Sequence, residues 1–308
     1  MISRRNIRVK VMQTLYTVDS AENSLTPAQA TKVLEKHLDQ SRQLFVSLIY
    51  FITEVARYAE KDAKQKASKH LPTAEDLKIN TRLAGNTVLW TILESESYKK
   101  AVAIDKPHFL IDEEWIRKIY LQLVETPEYK QYILMEERDK KQEKEILEFI
   151  FTDLMLPNED FIAMIEESFI HWEDDAEMIN LLMLNYLAKP KNYNFQEFLS
   201  AEKWQFAKKL LESAMEKDEY CMELIKPKLQ NWDPERTAVL DMILMKMGIC
   251  EFMYFETIPT KVTINEYIDL AKEYSTQQSG QFVNGILDSI HKDLLAENKI
   301  HKISHKVK

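Results

Sequence analysis

Apolar positions recur every three to four residues along most of the chain. Ile7, Val11, Leu15 and Val18 form one such stripe, which predicts a helix over Ser3–Val18 with a core face. Arg5, Arg8, Met12 and Tyr16 form a second stripe beside it, so an arginine-lined face runs into a tyrosine. Thr26 and Pro27 read as the N-cap and first residue of a second helix, whose apolar side is Ala28, Val33, Leu34 and Leu38. Ser41–Lys66 predicts a long helix that starts apolar and ends charged. Asp76–Ala101 predicts another, and shorter ones are expected at Trp115–Val124, Tyr129–Ile133 and Ile146–Leu154. Between the last two, Glu136–Glu145 mixes both signs of charge at helical spacing and reads as an exposed helix face.

The pattern resumes after a polar connection at Ala188–Asn194. Phe206, Leu210, Leu211 and Met215 make one stripe, and Tyr220, Leu224, Ile225 and Leu229 make the next. Asp233 and Pro234 follow Trp232 as a turn opening a helix that carries Val239, Met242, Ile243, Met247 and Cys250. Thr263 and Glu266 fit a capping box, and Ser279 fits the cap of a last helix with core face Phe282, Val283, Ile286 and Ile290. Gly285 falls inside that last pattern, where close backbone packing would explain it. Glu159–Met183 and Lys217–Met245 echo each other as helix, tryptophan turn, helix, with Trp172 matching Trp232. Two similar helical hairpins explain this as well as duplication does. No stretch reads as a strand, so the expected fold class is all-α.

Composition sharpens the picture by exclusion. The 308 residues are 45% hydrophobic and 30% charged, with only four glycines, which suits helices joined by short loops. The glycine-rich loops that cradle nucleotide phosphates are absent. Cys221 and Cys250 sit in apolar helical patterns and read as two buried free thiols, which fits a reducing, cytoplasmic setting. The basic N-terminus leads into no long apolar run, so neither a secretory signal nor a membrane span is expected. Seven scattered histidines give no metal-ligand spacing, and no nucleophile or acid/base constellation is visible. No cofactor and no catalysis are therefore expected. Net charge is −9, yet Arg4, Arg5, Arg8 and Lys10 start the chain without an acid among them, and Lys299, Lys302, Lys306 and Lys308 end it likewise. A polyanion could bind at these basic ends while the acidic body repels it.

Three stretches together resemble the NusB family of bacterial transcription antitermination factors. They are RRNIRVKVMQTLY at Arg4–Tyr16, the run Glu202–Glu256, and IPTKVTINEYIDLAKEYS with SGQFVNGIL in Ile258–Leu287. The second includes Asn231-Trp232, and Asp241 upstream of Glu251. The resemblance covers roughly residues 1–39 and 200–293. It implies a NusB-like helical bundle built from N-terminal helices in 1–39 and a C-terminal bundle in 200–293. Residues 40–199 would be a helical insertion whose pieces look like a degenerate repeat, and 294–308 a basic flexible tail. Two family positions depart: Val9 replaces a glutamate and Cys250 a tyrosine.

The resemblance implies a non-catalytic factor that binds boxA-like single-stranded RNA together with ribosomal protein NusE. It would act in an RNA polymerase antitermination complex supporting ribosomal RNA transcription. Members occur as monomers and as dimers, so a homodimer is a further partner it allows. Such a reader needs cations for phosphates and flat side chains for bases. Arg4, Arg5, Arg8 and Lys10 are the candidates for the first, and Tyr274, Gln278 and Phe282 for the second. Tyr274 and Phe282 could equally be core. Tyr16, Asp241 and Lys246 match positions near the NusE surface. Asp241 interrupts an apolar run, which a partner's cation or the chain's own Arg236 would compensate. Two other readings stay open: a subunit of an RNA-modification enzyme carrying a NusB-like module, and a helical protein-interaction scaffold without RNA binding.

Overall fold

The computed structural model describes residues 2–22, 24–68, 70, 73, 80–229 and 237–303. Within these the chain is helical, with no strand. In order the helices are α1 (Arg4–Ser20), α2 (Pro27–Ala67), α3 (Thr87–Glu94), α4 (Glu96–Asp105), α5 (Glu113–Glu125), α6 (Pro127–Leu134) and α7 (Lys140–Phe149). They continue as α8 (Glu159–Ser168), α9 (Trp172–Ala188), α10 (Ala201–Glu216), α11 (Asp218–Ile225), α12 (Val239–Tyr254), α13 (Thr260–Tyr274) and α14 (Ser279–Ala296). The chain divides into two compact units. One comprises residues 39–198, the other 2–38 together with 199–308.

Local chemistry explains most boundaries. Ser3 caps α1 by accepting the Asn6 N–H at 3.1 Å. Thr26 and Gln29 satisfy each other's backbone at the start of α2: the Gln29 side chain accepts the Thr26 N–H at 2.8 Å, and the Thr26 hydroxyl accepts the Gln29 N–H. The two helices expected over 27–66 are one, because nothing between Leu38 and Ser41 breaks the pattern. The helix expected over Asp76–Ala101 is instead split at Ser95, which ends α3 and caps α4 by accepting the Tyr98 N–H. Its expected start lies in 74–79, outside the described residues, as do Asn231, Trp232, Asp233, Pro234 and Arg236.

In the unit formed by 2–38 and 199–308, α12 packs against α13 and α14, which also pack on each other, and α1 lies against α10 and α12. Gly248 lets these helices approach closely. A β-carbon there would come within 3.0 Å and 3.1 Å of the Leu287 methyls and 3.3 Å of the Tyr267 ring. Gly285 does not play the close-packing role expected of it. It is exposed, and a β-carbon there would meet nothing within 4 Å. Gly285→Ala is therefore expected to stabilise its unit by about 1 kcal/mol through helix propensity alone, readable as slower amide exchange along α14.

The C-terminal boundary also differs from expectation. α14 runs on to Ala296, and residues 297–303 are held rather than tail-like. Lys302 donates to the carbonyls of Glu251 and Phe255 at 2.9 Å and 2.8 Å, and the Ile303 N–H to that of Glu256 at 3.0 Å. A lysine at a helix C-terminus meets carbonyls that lack intrahelical partners. Burial pushes its ammonium down to about 8, against the pull of Glu251 and Glu256.

The other unit, residues 39–198, centres on an aromatic cluster. Phe45, fully buried, has Tyr186, Tyr193, Phe195 and Phe198 around it at centroid distances of 5.9, 5.4, 5.7 and 6.4 Å. Glu143, expected on an exposed face, is instead 1% exposed. Its carboxylate accepts from Tyr132 Oη at 2.9 Å, from the Thr87 N–H at 2.6 Å and from Arg138 at 3.1 Å. A buried carboxylate needs this many donors to remain satisfied.

Candidate nucleic-acid interface

α1 begins with two arginines and no acid, which places like charge at the positive end of its helix dipole. The fold compensates with distant carboxylates. Arg4 pairs with Glu202 and Arg5 with Glu273, each at 2.7 Å, and the Arg4 guanidinium lies 5.5 Å from the Phe206 ring centroid. Both arginines stay about 40% exposed. The Arg5–Glu273 pair ties the start of α1 to the end of α13, one residue from Tyr274. Two segments some 270 residues apart in sequence thus meet. Tyr274 and Phe282 are half-buried and Gln278 is exposed.

Arg8 and Lys10 do not join that surface. Both are buried, at 2% and 1% exposure, which corrects the expectation of four exposed cations. Arg8 is bidentate to Glu251 at 2.9 Å and 2.8 Å and reaches Glu266 at 3.1 Å. Its guanidinium also lies 5.5 Å from the Phe206 centroid and 5.9 Å from that of Tyr267. Glu251 in turn accepts from Thr263 Oγ1 at 2.8 Å and Tyr267 Oη at 3.1 Å. Burial works hardest on Arg8, against its charge, but the hydrogen bond to Glu251 and the attraction of Tyr267, Glu251 and Glu266 together outweigh it and hold the guanidinium's pKa above its ordinary value. Arg8 is thus the centre of a structural clamp joining α1, α12 and α13. The same clamp overturns the capping-box reading. Thr263 lies inside α13 and bonds Glu251, while Glu266 faces Arg8.

The expected partner residues separate as well. Tyr16 is 49% exposed. Lys246 is half-buried, paired with Asp218, and lines a cleft of about 500 Å³ with Leu15, Val18 and Met215. Asp241 is 5% exposed and so is not a surface group. Its Oδ2 accepts from Ser279 Oγ at 2.8 Å, while Oδ1 has no hydrogen-bond partner among the described residues. That bond also explains Ser279, which lies inside the first turn of α14 instead of capping it. Cys221 and Cys250, far apart in sequence, bring their sulfurs to 3.8 Å as buried free thiols. Among the described residues no group of His, Cys, Asp and Glu could hold a metal ion, and no helix is long and apolar enough to cross a membrane.

Comparison with known proteins places this geometry. The NusB family model matches residues 168–292, from the end of α8 into α14. A transcription antitermination protein NusB from Thermodesulfovibrio yellowstonii is 34% identical over 120 residues, covering 35% of this chain and 80% of that protein. The chain belongs to the NusB family. A NusB from Salinibacter ruber is 38% identical over 97 residues, and one from Chloroherpeton thalassium 44% over 72 residues. The chain spans 61% and 34% of the length of these two, which cover 32% and 23% of it. No solved structure matches the chain. The matched region contains Glu202, Glu251, Glu266 and Glu273, whereas α1 with its arginines and most of the unit 39–198 lie outside it. Sequence reasoning missed Glu202, Glu266 and Glu273 as arginine partners, because pairs separated by about 200 residues or more leave no periodic signal.

Proposed function

We propose that this NusB-family chain is a non-catalytic antitermination factor that binds boxA-like single-stranded RNA together with ribosomal protein NusE. It acts within an RNA polymerase antitermination complex that promotes ribosomal RNA transcription. One observation carries the reading. Arg4 and Arg5 stay half-exposed at the positive end of α1, and the Arg5–Glu273 pair brings Arg5 to the residue that precedes Tyr274. Phosphates favour such a helix end, and they can displace surface carboxylates that contribute little as ion partners. Tyr274 and Phe282 supply ring surface near the turn that carries Gln278, and a stacked base contributes about 1–3 kcal/mol. The names of the relatives support antitermination as the process. Tyr16, with its ring half in solvent, is the part of the expected NusE surface that stays open.

The test is binding of a boxA-like RNA with and without NusE, at two salt concentrations. NusE is expected to tighten binding. Arg4→Ala/Arg5→Ala is expected to weaken it and to flatten the dependence of log K on log salt by about 1.4, near 0.7 for each lost phosphate contact. No enhancement by NusE together with an unchanged slope in the variant would sink the reading.

A further inference from the structure

In the unit formed by 39–198, one cleft of about 570 Å³ is lined by cations and by no carboxylate. Thr87 and Thr91 of α3 form one wall. Arg138 and Lys140 at the start of α7, with Lys189 and Lys191 after α9, supply the charge. Four cations in one cleft are unusual for a chain of net charge −9. Arg138 is committed to Glu143 and to the Arg82 carbonyl. Lys140, Lys189 and Lys191 are exposed and make no ion pair among the described residues. Their neighbours behave otherwise: Lys141 pairs with Glu145 at 3.6 Å and Lys144 with Glu148 at 3.0 Å. The N-terminus of α3 is not itself the attraction. Asn86 accepts its Val88 and Leu89 N–H groups, and Glu143 accepts that of Thr87.

A second feature stands on the same helix. Trp90 does not line the cleft itself, but it follows the wall residue Thr87 by three positions and so adjoins it on the surface of α3. It is 48% exposed, and its indole N–H donates to the Ala84 carbonyl at 2.9 Å, which fixes the ring while leaving surface open. Unpaired cations that track a phosphate backbone, and a fixed aromatic one helical step beyond the cleft wall on which a base can stack, are the two parts of a single-strand binding surface. We infer that this cleft is a second RNA-binding site, with Lys140, Lys189 and Lys191 on phosphates and Trp90 under a base. For its class of ligand the inference rests on the RNA-binding reading above, but its residues belong to the other unit of the chain.

The experiment is a fluorescence anisotropy titration of the full chain with a labelled 20-nucleotide single-stranded RNA at several salt concentrations. Five proteins are compared: wild type, Lys189→Glu/Lys191→Glu, Lys189→Gln/Lys191→Gln, Trp90→Leu and Arg4→Ala/Arg5→Ala. The lysine variant is expected to bind about tenfold or more weakly, with a log–log salt slope flatter by about 1.4. Trp90→Leu is expected to lose about fivefold or more in affinity at an unchanged slope. Lys189→Gln/Lys191→Gln, which removes the positive charge without adding a negative one, should move the same way by less, and circular dichroism should match wild type throughout. Wild-type affinity and slope in both lysine variants would overturn the inference. Loss confined to the Arg4/Arg5 variant overturns this second site and leaves the proposed function standing. Loss confined to the lysine and tryptophan variants does the reverse, and no binding by wild type overturns both.

Discussion

Arg8→Ala is expected to lower the free energy of unfolding by about 3–5 kcal/mol, because it leaves Glu251 buried without its charge partner. Glu251 is fully buried, and after the substitution the neutral Thr263 and Tyr267 hydroxyls would still bond its carboxylate but bring no positive charge. The loss should appear in urea unfolding and in faster amide exchange along α12 and α13. Glu251→Gln should cost less, since the amide keeps the shape and one acceptor while Arg8 retains Glu266. The pair Arg8→Met/Glu251→Leu should lose less than the sum of the single replacements, because no unpaired charge remains buried. A loss below about 1 kcal/mol for Arg8→Ala, typical of surface ion pairs, would show that Arg8 is not the clamp described here.

Phe45→Ala is the second large effect, expected at about 3–5 kcal/mol. Phe45 is fully buried among four aromatic rings, two of them from α9 and the turn after it. Removing it opens a cavity that Tyr186, Tyr193 and Phe195 cannot close without leaving their mutual edge-on contacts at 5.3–5.4 Å and 4.9 Å. Because the chain has two compact units, a single unfolding midpoint is a poor readout. Amide exchange over α9 and residues 190–198 measures the effect where it arises. Unchanged protection there would mean that the cluster is not the core of this unit.

Much of the helical layout was legible because helices announce themselves through a period of 3.6 residues. The stripe Ile7, Val11, Leu15, Val18 is a buried face of α1, and Phe206, Leu210 and Leu211 are buried on α10. Breaks were less legible. Ser95 interrupts α3 and α4 because its side chain can cap and its backbone is extended, yet a serine inside a helical pattern gives no warning of this. The opposite error joined Thr263 and Glu266 into a capping box, although the helix had already begun at Thr260. Short-range rules could not see that both residues are engaged from outside, by Glu251 and Arg8.

What the sequence by itself determined is the all-helical class, the absence of glycine-loop phosphate sites, and the resemblance to NusB that family comparison upholds. Each follows from local periodicity, residue counts or ordered motifs, all of which are written along the chain. Only the tertiary structure decided which arginines are available. On sequence Arg4, Arg5 and Arg8 are equivalent members of one basic cluster. In the fold Arg8 is enclosed by Glu251, Glu266, Phe206 and Tyr267, while Arg4 and Arg5 stay half in solvent against Glu202 and Glu273. Asp241 and Gly285 exchanged roles with expectation for the same reason, one buried and one exposed. A side chain's availability depends on which distant residues fold against it, and those contacts join positions up to 268 residues apart.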